Sequence, residues 1–133
     1  MNTPNPPDSI VEFWQRLPEN EKVLVDFLRI LVLKTLPSTC REKLTNHVPY
    51  YFGNQRICMI WPASVKGGGV KKRVLFGFSR GVLLSDPDQY LTHGSNKRIF
   101  YKIFQSVEEI EIIPLINLLN EAVQIDSLLK KQK

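Results

Sequence analysis

Residues 77–81 read Gly-Phe-Ser-Arg-Gly, the G-x-S-x-G pattern that carries the nucleophilic serine of α/β-hydrolases. Asp86, Asp88 and His93 follow in the chain order that a hydrolase triad requires. A nucleophile elbow also needs a helix directly after the turn, whereas an apolar segment typical of a strand follows here, at residues 82–84. We therefore predict that Ser79 lies in a hairpin turn and that the protein is not an enzyme.

A basic loop precedes this motif. Residues 66–73 combine three consecutive glycines with Lys66, Lys71, Lys72 and Arg73, a composition that suits a bound phosphate. The segment is not a P-loop, because a strand and not a helix follows it. It is either an anion-binding element or a solvated connection between strands, and the sequence leaves both interpretations open.

Two groups of oxygen donors have the chemistry to hold a metal ion. Asp86 and Asp88 lie near His93, and residues 108–111 supply three glutamates. Carboxylate and imidazole ligands suit iron, but the glutamates equally favour the first turn of a helix. We predict no cofactor, and iron at Asp86, Asp88 and His93 is the alternative.

The positive charge of the chain is concentrated in its middle. The formal net charge is +5, yet residues 53–104 carry nine of the 18 basic side chains and only two of the 13 acidic ones. Most aromatic side chains lie in the same region. Basic and aromatic groups on a sheet can bind a small anion in a pocket or, alternatively, single-stranded nucleic acid. The candidate ligand-binding residues are Tyr50, Arg56, Trp61, Lys71, Lys72, Arg73, Arg98 and Tyr101.

The first third of the chain is predicted to be helical. Asp8 and Ser9 can cap a short helix that Pro18 ends. Asn20 can cap a second helix, whose apolar residues recur at helical spacing until Pro37 closes it.

Two further helices are predicted from local signals. Thr39 and Glu42 have capping-box spacing, which predicts a third short helix over residues 39–45. Because proline is not tolerated inside a helix, residues 107–111 are predicted to form a turn, and the last helix is predicted to begin close to Pro114.

Between these helices the hydrophobic period changes to two, which indicates strands. The first two strands flank Gly53 and predict a β-hairpin. This order of elements predicts an α+β fold: an antiparallel sheet of about five strands with the N-terminal and C-terminal helices packed on one face. The predicted strands are residues 48–52, 56–61, 73–79, 82–84 and 97–104.

A chain of 133 residues predicts a single domain, with an extended tail at residues 1–8 and a basic tail at 130–133. Cys40 and Cys58 fit no C-x-x-C pattern and are predicted to be reduced thiols. We see no signal segment at the N-terminus, and the most apolar run is too short to span a bilayer. The predicted location is the cytoplasm.

Several short segments occur in a characteristic order: residues 36–37, 48–53, 74–78, 81–86 and 98–103, followed by a helix rich in leucine and isoleucine. Their order resembles the YdhG-like family, a domain of unknown function in bacteria, and the resemblance covers nearly the whole chain. It implies an α+β sandwich similar in architecture to frataxin and, for one branch of the family, an intracellular iron chaperone for iron–sulfur or haem assembly.

These observations predict a non-enzymatic binding module that captures an anionic small ligand or a protein partner on the uncovered sheet face and its glycine-rich loop. An iron chaperone and a nucleic-acid-binding protein are the alternatives. Frataxin-like iron binding would use an acidic helix surface, but Arg16, Lys22 and Arg29 interrupt the acidic side chains of the first two helices. A flat, apolar sheet face would instead predict a homodimer.

Overall fold

The computed structural model of the chain describes residues 5–93 and 97–131 and has the predicted α+β class. Parts of the predicted tails (1–4 and 132–133) and of the predicted polar loop (94–96) lie outside the described residues. In chain order the elements are α1 (Ile10–Gln15), α2 (Glu19–Thr35), β1 (Arg41–Thr45), β2 (Val48–Phe52), β3 (Arg56–Pro62), β4 (Val74–Phe78), a 3₁₀ turn (Gly81–Leu83), β5 (Phe100–Phe104), a second 3₁₀ turn (Val107–Glu109) and α3 (Ile112–Ser127).

The five strands form one antiparallel sheet in the order β1-β2-β3-β4-β5. Helices α2 and α3 contact each other and pack on β3, and α2 also packs on β4. Because side chains alternate between the two faces of a strand, each strand sends one set of residues into the core under the helices. Within the part of the chain that the structure describes, no helix covers the opposite side of the sheet, which we call the open face. Core residues with almost no exposed surface include Tyr51, Ile60, Phe76, Phe78, Leu24, Leu28, Leu115 and Leu119.

The helix ends follow local signals, with one correction. The Ser9 hydroxyl accepts a hydrogen bond from the backbone N–H of Glu12 at 3.1 Å, which confirms the predicted cap of α1. Helix α2 is not capped by Asn20, which lies in its first turn; Pro18 is its N-cap and makes no side-chain cap hydrogen bond. Pro114 lies in the first turn of α3, as predicted, where its missing N–H costs no hydrogen bond.

The prediction of a helix over residues 39–45 is wrong, because strand β1 occupies this segment. β1 pairs with β2 along its whole length. Asn46 and His47, which connect the two strands, both have positive φ values, of 55° and 70°. Two such residues in succession are characteristic of a type I′ hairpin turn, in which asparagine is favoured. Glu42 bonds to α2 and does not cap a helix.

The prediction of a strand over residues 82–84 is also wrong, because a 3₁₀ turn begins at Gly81. The backbone of Gly81 passes so close to β5 that an added Cβ would lie 2.4 Å from Cβ of Phe100. The N–H of Val82 donates to the carbonyl of Arg98 at 3.1 Å, and no strand ladder forms there. β5 begins at Phe100, three residues later than predicted. The predicted strands that became β2, β3 and β4 are confirmed, with bounds that differ by at most one residue.

Cys40 is half-buried and Cys58 is fully buried, and both are free thiols. Burial raises the pKa of both thiols. No helix among the described residues has the length and apolar character needed to cross a membrane.

Candidate functional site

The open face of the sheet carries the candidate site. The strand register aligns side chains on this face into two rows that run across neighbouring strands. Adjacent strands are about 4.8 Å apart, so each row brings together residues that are distant in the sequence. The rows are Tyr50, Met59, Gly77, Tyr101 and, beside them, Trp61, Leu75, Ile103.

A cavity of about 290 Å³ lies at one end of the open face. Arg56, Arg80 and Arg98 line it, together with Ser79 and Gln55. Its described lining includes neither a carboxylate nor a histidine. Because guanidinium groups recognise oxyanions through forked hydrogen bonds, this lining is suited to an anion. We call this space the arginine cavity.

Two buried donors of the arginine cavity lack an acceptor within the part of the chain that the structure describes: the Ser79 hydroxyl and Nε of Arg80. Arg80 is nevertheless held in place, because its Nη2 donates to Oε1 of Gln55. Nε2 of Gln55 in turn donates to the carbonyl of Lys130 at 3.1 Å. A buried donor without a partner costs about 1–3 kcal/mol. A rotation of the Ser79 or Arg80 side chain toward the cavity would let a bound oxyanion supply the missing acceptor.

Arg56 and Tyr50 connect the arginine cavity to the rest of the open face. The Arg56 guanidinium lies over the Tyr50 ring, 5.1 Å from its centroid. The Tyr50 ring meets Trp61 edge-to-face, with centroids 6.5 Å apart, and its hydroxyl accepts a hydrogen bond from Asn46 at 3.5 Å. Tyr50 is only 5% exposed, so its ring is a fixed part of the floor.

A second cavity, of about 390 Å³, adjoins the first. Tyr50, Met59 and Ile99 line both cavities. In contrast to the arginine cavity, the described lining of this space contains no charged side chain. We call it the aromatic cavity, because Tyr50, Trp61 and Tyr101 line it together with Leu75, Ile103 and the three glycines at residues 67–69.

The glycine-rich loop forms one wall of the aromatic cavity. Gly68 lies against Trp61 so closely that an added Cβ would be 2.6 Å from the indole. Nε1 of Trp61 donates to the carbonyl of Val65 at 2.8 Å, which fastens the start of the loop to the same side chain. Gly67 has a φ of +112°, a conformation that other residues rarely adopt. The glycines therefore allow the loop to lie on the tryptophan.

The structure brings five of the eight predicted ligand residues to the two cavities. Lys71 and Lys72 are exposed and line neither cavity. Arg73 is half-buried, has a φ of 58°, and its carbonyl accepts a hydrogen bond from the N–H of Ala63 at 2.7 Å. These three cations belong to the connection between β3 and β4. The five residues at the cavities are Tyr50, Arg56, Trp61, Arg98 and Tyr101.

Sequence reasoning missed the role of Arg80 and Gln55. Arg80 follows β4, and the pairing of Cys58 with Phe78 places it opposite Arg56 at the same end of the sheet. The sequence predicts an antiparallel sheet but not the register of β3 and β4, so the convergence of Arg80 with Arg56 had no local signal. The role of Gln55 had none either.

The residues that follow Ser79 in triad order lie outside the arginine cavity. The ring of His93 stacks on Phe100, with centroids 4.6 Å apart. The carboxylate of Asp86 accepts hydrogen bonds at 2.9 Å from two backbone amides of its own loop, and Asp88 is exposed. Within residues 5–93 and 97–131, no three histidine, cysteine or acidic side chains are grouped so that they could hold a metal ion.

Replacing Ser79 with alanine is expected to leave the free energy of unfolding unchanged or to raise it by about 1 kcal/mol, because it removes a buried hydroxyl without an acceptor. The same change should weaken phosphate binding several-fold. Urea unfolding and a phosphate titration measure the two effects. Ser64→Ala is the matched control: its hydroxyl donates to the buried Glu21 carboxylate at 2.5 Å, so its loss should destabilise the fold by about 1–2 kcal/mol. A destabilised Ser79→Ala variant would contradict this interpretation.

No family model, curated protein or solved structure matches this chain. The resemblance to the YdhG-like family therefore stays a prediction, and the functional argument rests on the two cavities.

Proposed function

We propose that this chain is a non-enzymatic binding module that holds an anionic small ligand on the open face of its sheet. The proposal rests on the arginine cavity, where Arg56, Arg80 and Arg98 meet around a concave surface whose described lining has no acidic side chain. Guanidinium groups at such a site favour an anion by charge and by directed hydrogen bonds.

The shape of the open face supports a small ligand over a nucleic-acid strand or a second copy of the chain. Proteins that bind single strands stack successive bases on several accessible rings. Of the three candidate rings here, Tyr50 and Trp61 are only 5% and 7% exposed and Tyr101 is half-buried, so the face suits one flat ring better than a strand. A homodimer would favour a flat apolar surface. The two cavities, of about 290 and 390 Å³, together have the size of typical ligand pockets, roughly 300–1,000 Å³.

We also propose that the protein is cytoplasmic. Its two cysteines, Cys40 and Cys58, are free thiols, and the reducing conditions of that compartment keep thiols in this state.

The test is a titration of the full chain with inorganic phosphate, pyrophosphate and citrate at low salt, followed by calorimetry or by amide chemical shifts. We expect at least one of these anions to bind, with shifts at the start of β3 and the end of β4. Arg56→Gln should weaken binding at least about tenfold, the value of one charge-assisted hydrogen bond. The control is Lys71→Gln, which removes the same charge outside both cavities and should change the affinity less than about twofold.

Two results would contradict the proposal. The first is that none of the three anions binds at millimolar concentration. The second is an equal loss of affinity in the Arg56→Gln and Lys71→Gln variants, which would indicate attraction by net charge alone, without a defined cavity.

A further inference from the structure

We infer that the ligand of this site has the build of a nucleoside monophosphate: a flat aromatic ring, a spacer of about the size of a sugar, and a phosphate monoester. The inference rests on the proposed function and specifies which anion fills the two adjoining cavities. It follows from three features of the open face: the charge at one end, the lining of the other end, and the distance between them.

The charge of the arginine cavity matches a dianion. Three arginines line it, and its described lining contains no carboxylate. A phosphate monoester carries a charge of about −1.5 to −2 at neutral pH and offers three terminal oxygens, whereas a carboxylate carries one charge and two oxygens. The Ser79 hydroxyl and Nε of Arg80 are buried donors without acceptors, and a rotation of either side chain would turn it toward a ligand in the cavity. A phosphate monoester supplies both the second negative charge and the three acceptor oxygens.

The aromatic cavity is built as an uncharged slot. Its walls rise from β3 and β5, which are two strand spacings, or about 10 Å, apart. Trp61 with the glycine loop forms one wall, and Tyr101 with Ile103 forms the other. Among the described residues, the half-buried Tyr101 ring has no aromatic partner and its hydroxyl has no hydrogen bond. A flat ring between these walls would stack on Tyr101 and on the peptide planes of the loop.

The aromatic cavity and the arginine cavity are far enough apart that a ligand filling both needs a spacer between its ring and its phosphate. Strand β4 runs beneath both cavities, with Leu75 at the aromatic cavity and Ser79 at the end of the strand in the arginine cavity. Four residues of extended chain span about 13 Å. Met59 and Ile99 lie over Gly77, midway along this stretch, and both line the two cavities, so they form the floor that the cavities share. A ring joined directly to a phosphate is too short to reach both ends, whereas a nucleotide has a sugar between them.

The experiment compares ligands that differ in one part, each titrated into the full wild-type chain. The probes are the four common nucleoside 5′-monophosphates, the corresponding nucleosides, ribose 5-phosphate, and adenosine 3′,5′-cyclic monophosphate. We expect at least one monophosphate to bind tenfold or more tightly than ribose 5-phosphate, which lacks the ring, and than its nucleoside, which lacks the anion. The cyclic phosphate should bind more weakly than adenosine monophosphate, because it carries a single charge.

Two variants assign the halves of the ligand to the two cavities. Tyr101→Leu should weaken binding of the best monophosphate about fivefold to tenfold and leave ribose 5-phosphate within about twofold. Arg56→Gln should weaken both ligands. If either variant does not fold, the comparison of ligands on the wild-type chain still decides the inference.

The possible failures are distinguishable. If ribose 5-phosphate binds as tightly as every monophosphate, the inferred ring is wrong, while the proposed anion site stands. If no phosphate compound binds, both the inference and the proposed function fail. If oligothymidine binds more than tenfold more tightly than any mononucleotide, with a steep dependence on salt, the ligand is a nucleic-acid strand and the inference is overturned.

Discussion

Replacing Asp126 with alanine is expected to lower the free energy of unfolding by about 3 kcal/mol, because it removes the buried acceptor that joins α3 to the β2–β3 turn. Asp126 is 7% exposed, and its carboxylate accepts the backbone N–H of Asn54 at 2.6 Å and that of Gln55 at 2.8 Å. Hydrogen bonds to a charged group contribute about 1.5–3 kcal/mol each, and their loss leaves two amides without an acceptor. Urea unfolding at neutral pH measures the change.

Gly53 provides a sharper test of the same contact. An added Cβ at Gly53 would lie 2.1 Å from Oδ2 of Asp126, so Gly53→Ala must displace the carboxylate and should destabilise the fold by about 2 kcal/mol. In an Asp126→Ala background this clash is absent, and Gly53→Ala should then cost less than about 1 kcal/mol. Additive effects of the two changes would show that the cost of Gly53→Ala does not come from a clash with the Asp126 carboxylate.

The Asp126 contact also bears on the candidate site. Gln55, the last residue of the turn, holds Arg80 through its side chain. If the turn no longer contacts α3, Gln55 would hold the Arg80 side chain less firmly. The Asp126→Ala variant should therefore bind phosphate more weakly than wild type under conditions in which it is still fully folded.

The second large effect concerns a cluster of three side chains between α2 and the sheet. Nε and Nη2 of Arg29 each donate to the Glu42 carboxylate at 2.8 Å, and the Tyr51 hydroxyl donates to it at 2.6 Å. Burial raises the pKa of Glu42, but the hydrogen bonds from Arg29 and Tyr51 and the charge of Arg29 outweigh it and hold this pKa below its ordinary value of 4.5. Burial and the nearby carboxylate raise the pKa of Tyr51, which stays protonated as a donor.

Glu42→Gln is expected to lower the free energy of unfolding by about 2 kcal/mol at pH 7. This is less than the loss of a fully buried ion pair, because the side chains of Arg29 and Glu42 are 24% and 14% exposed. Since the pKa of Glu42 is lowered by folding, its contribution is complete above about pH 4.5 and is lost as the pH falls through the folded-state value. The variant should therefore lose less stability than wild type between pH 5 and pH 3.

Unfolding by urea at a series of pH values tests this expectation. Tyr51→Phe is the control, because it removes one hydrogen bond, about 1 kcal/mol, and keeps the ion pair. It should preserve most of the acid sensitivity. If the free energy of unfolding falls equally with pH in wild type and in Glu42→Gln, the Glu42 carboxylate is not the group that causes the loss of stability in acid.

The elements that could be predicted from the sequence are those in which local signals and packing agree. Strands β2, β3 and β4 are rich in β-branched and aromatic residues, and their bounds are confirmed within one residue. β1 was not predicted because it is an edge strand with charged residues on both faces. Its inward-facing Glu42 occupies a position where an apolar residue would have revealed the alternation typical of a strand. The Asn46-His47 turn was the available local signal.

Residue types alone predicted some of the residues that line the cavities and wrongly included others. The concentration of positive charge and aromatic rings in the sheet segment indicated that the site lies on the sheet. Five predicted residues do line the cavities: Tyr50, Arg56, Trp61, Arg98 and Tyr101. Lys71 and Lys72 match the same chemistry but do not reach either cavity. Their positions depend on how the glycine loop lies on the sheet, which composition does not encode.

The sequence by itself determined the fold class, the strands at the centre of the sheet and the charge that the open face carries, because these depend on periodicity and composition within short segments. Only the tertiary structure decided which cations converge. Arg80 faces Arg56 because of the β3–β4 register, and the loop becomes a wall because Gly68 packs on Trp61. Register and loop packing are set by contacts between residues far apart in the chain, so no local pattern specifies them.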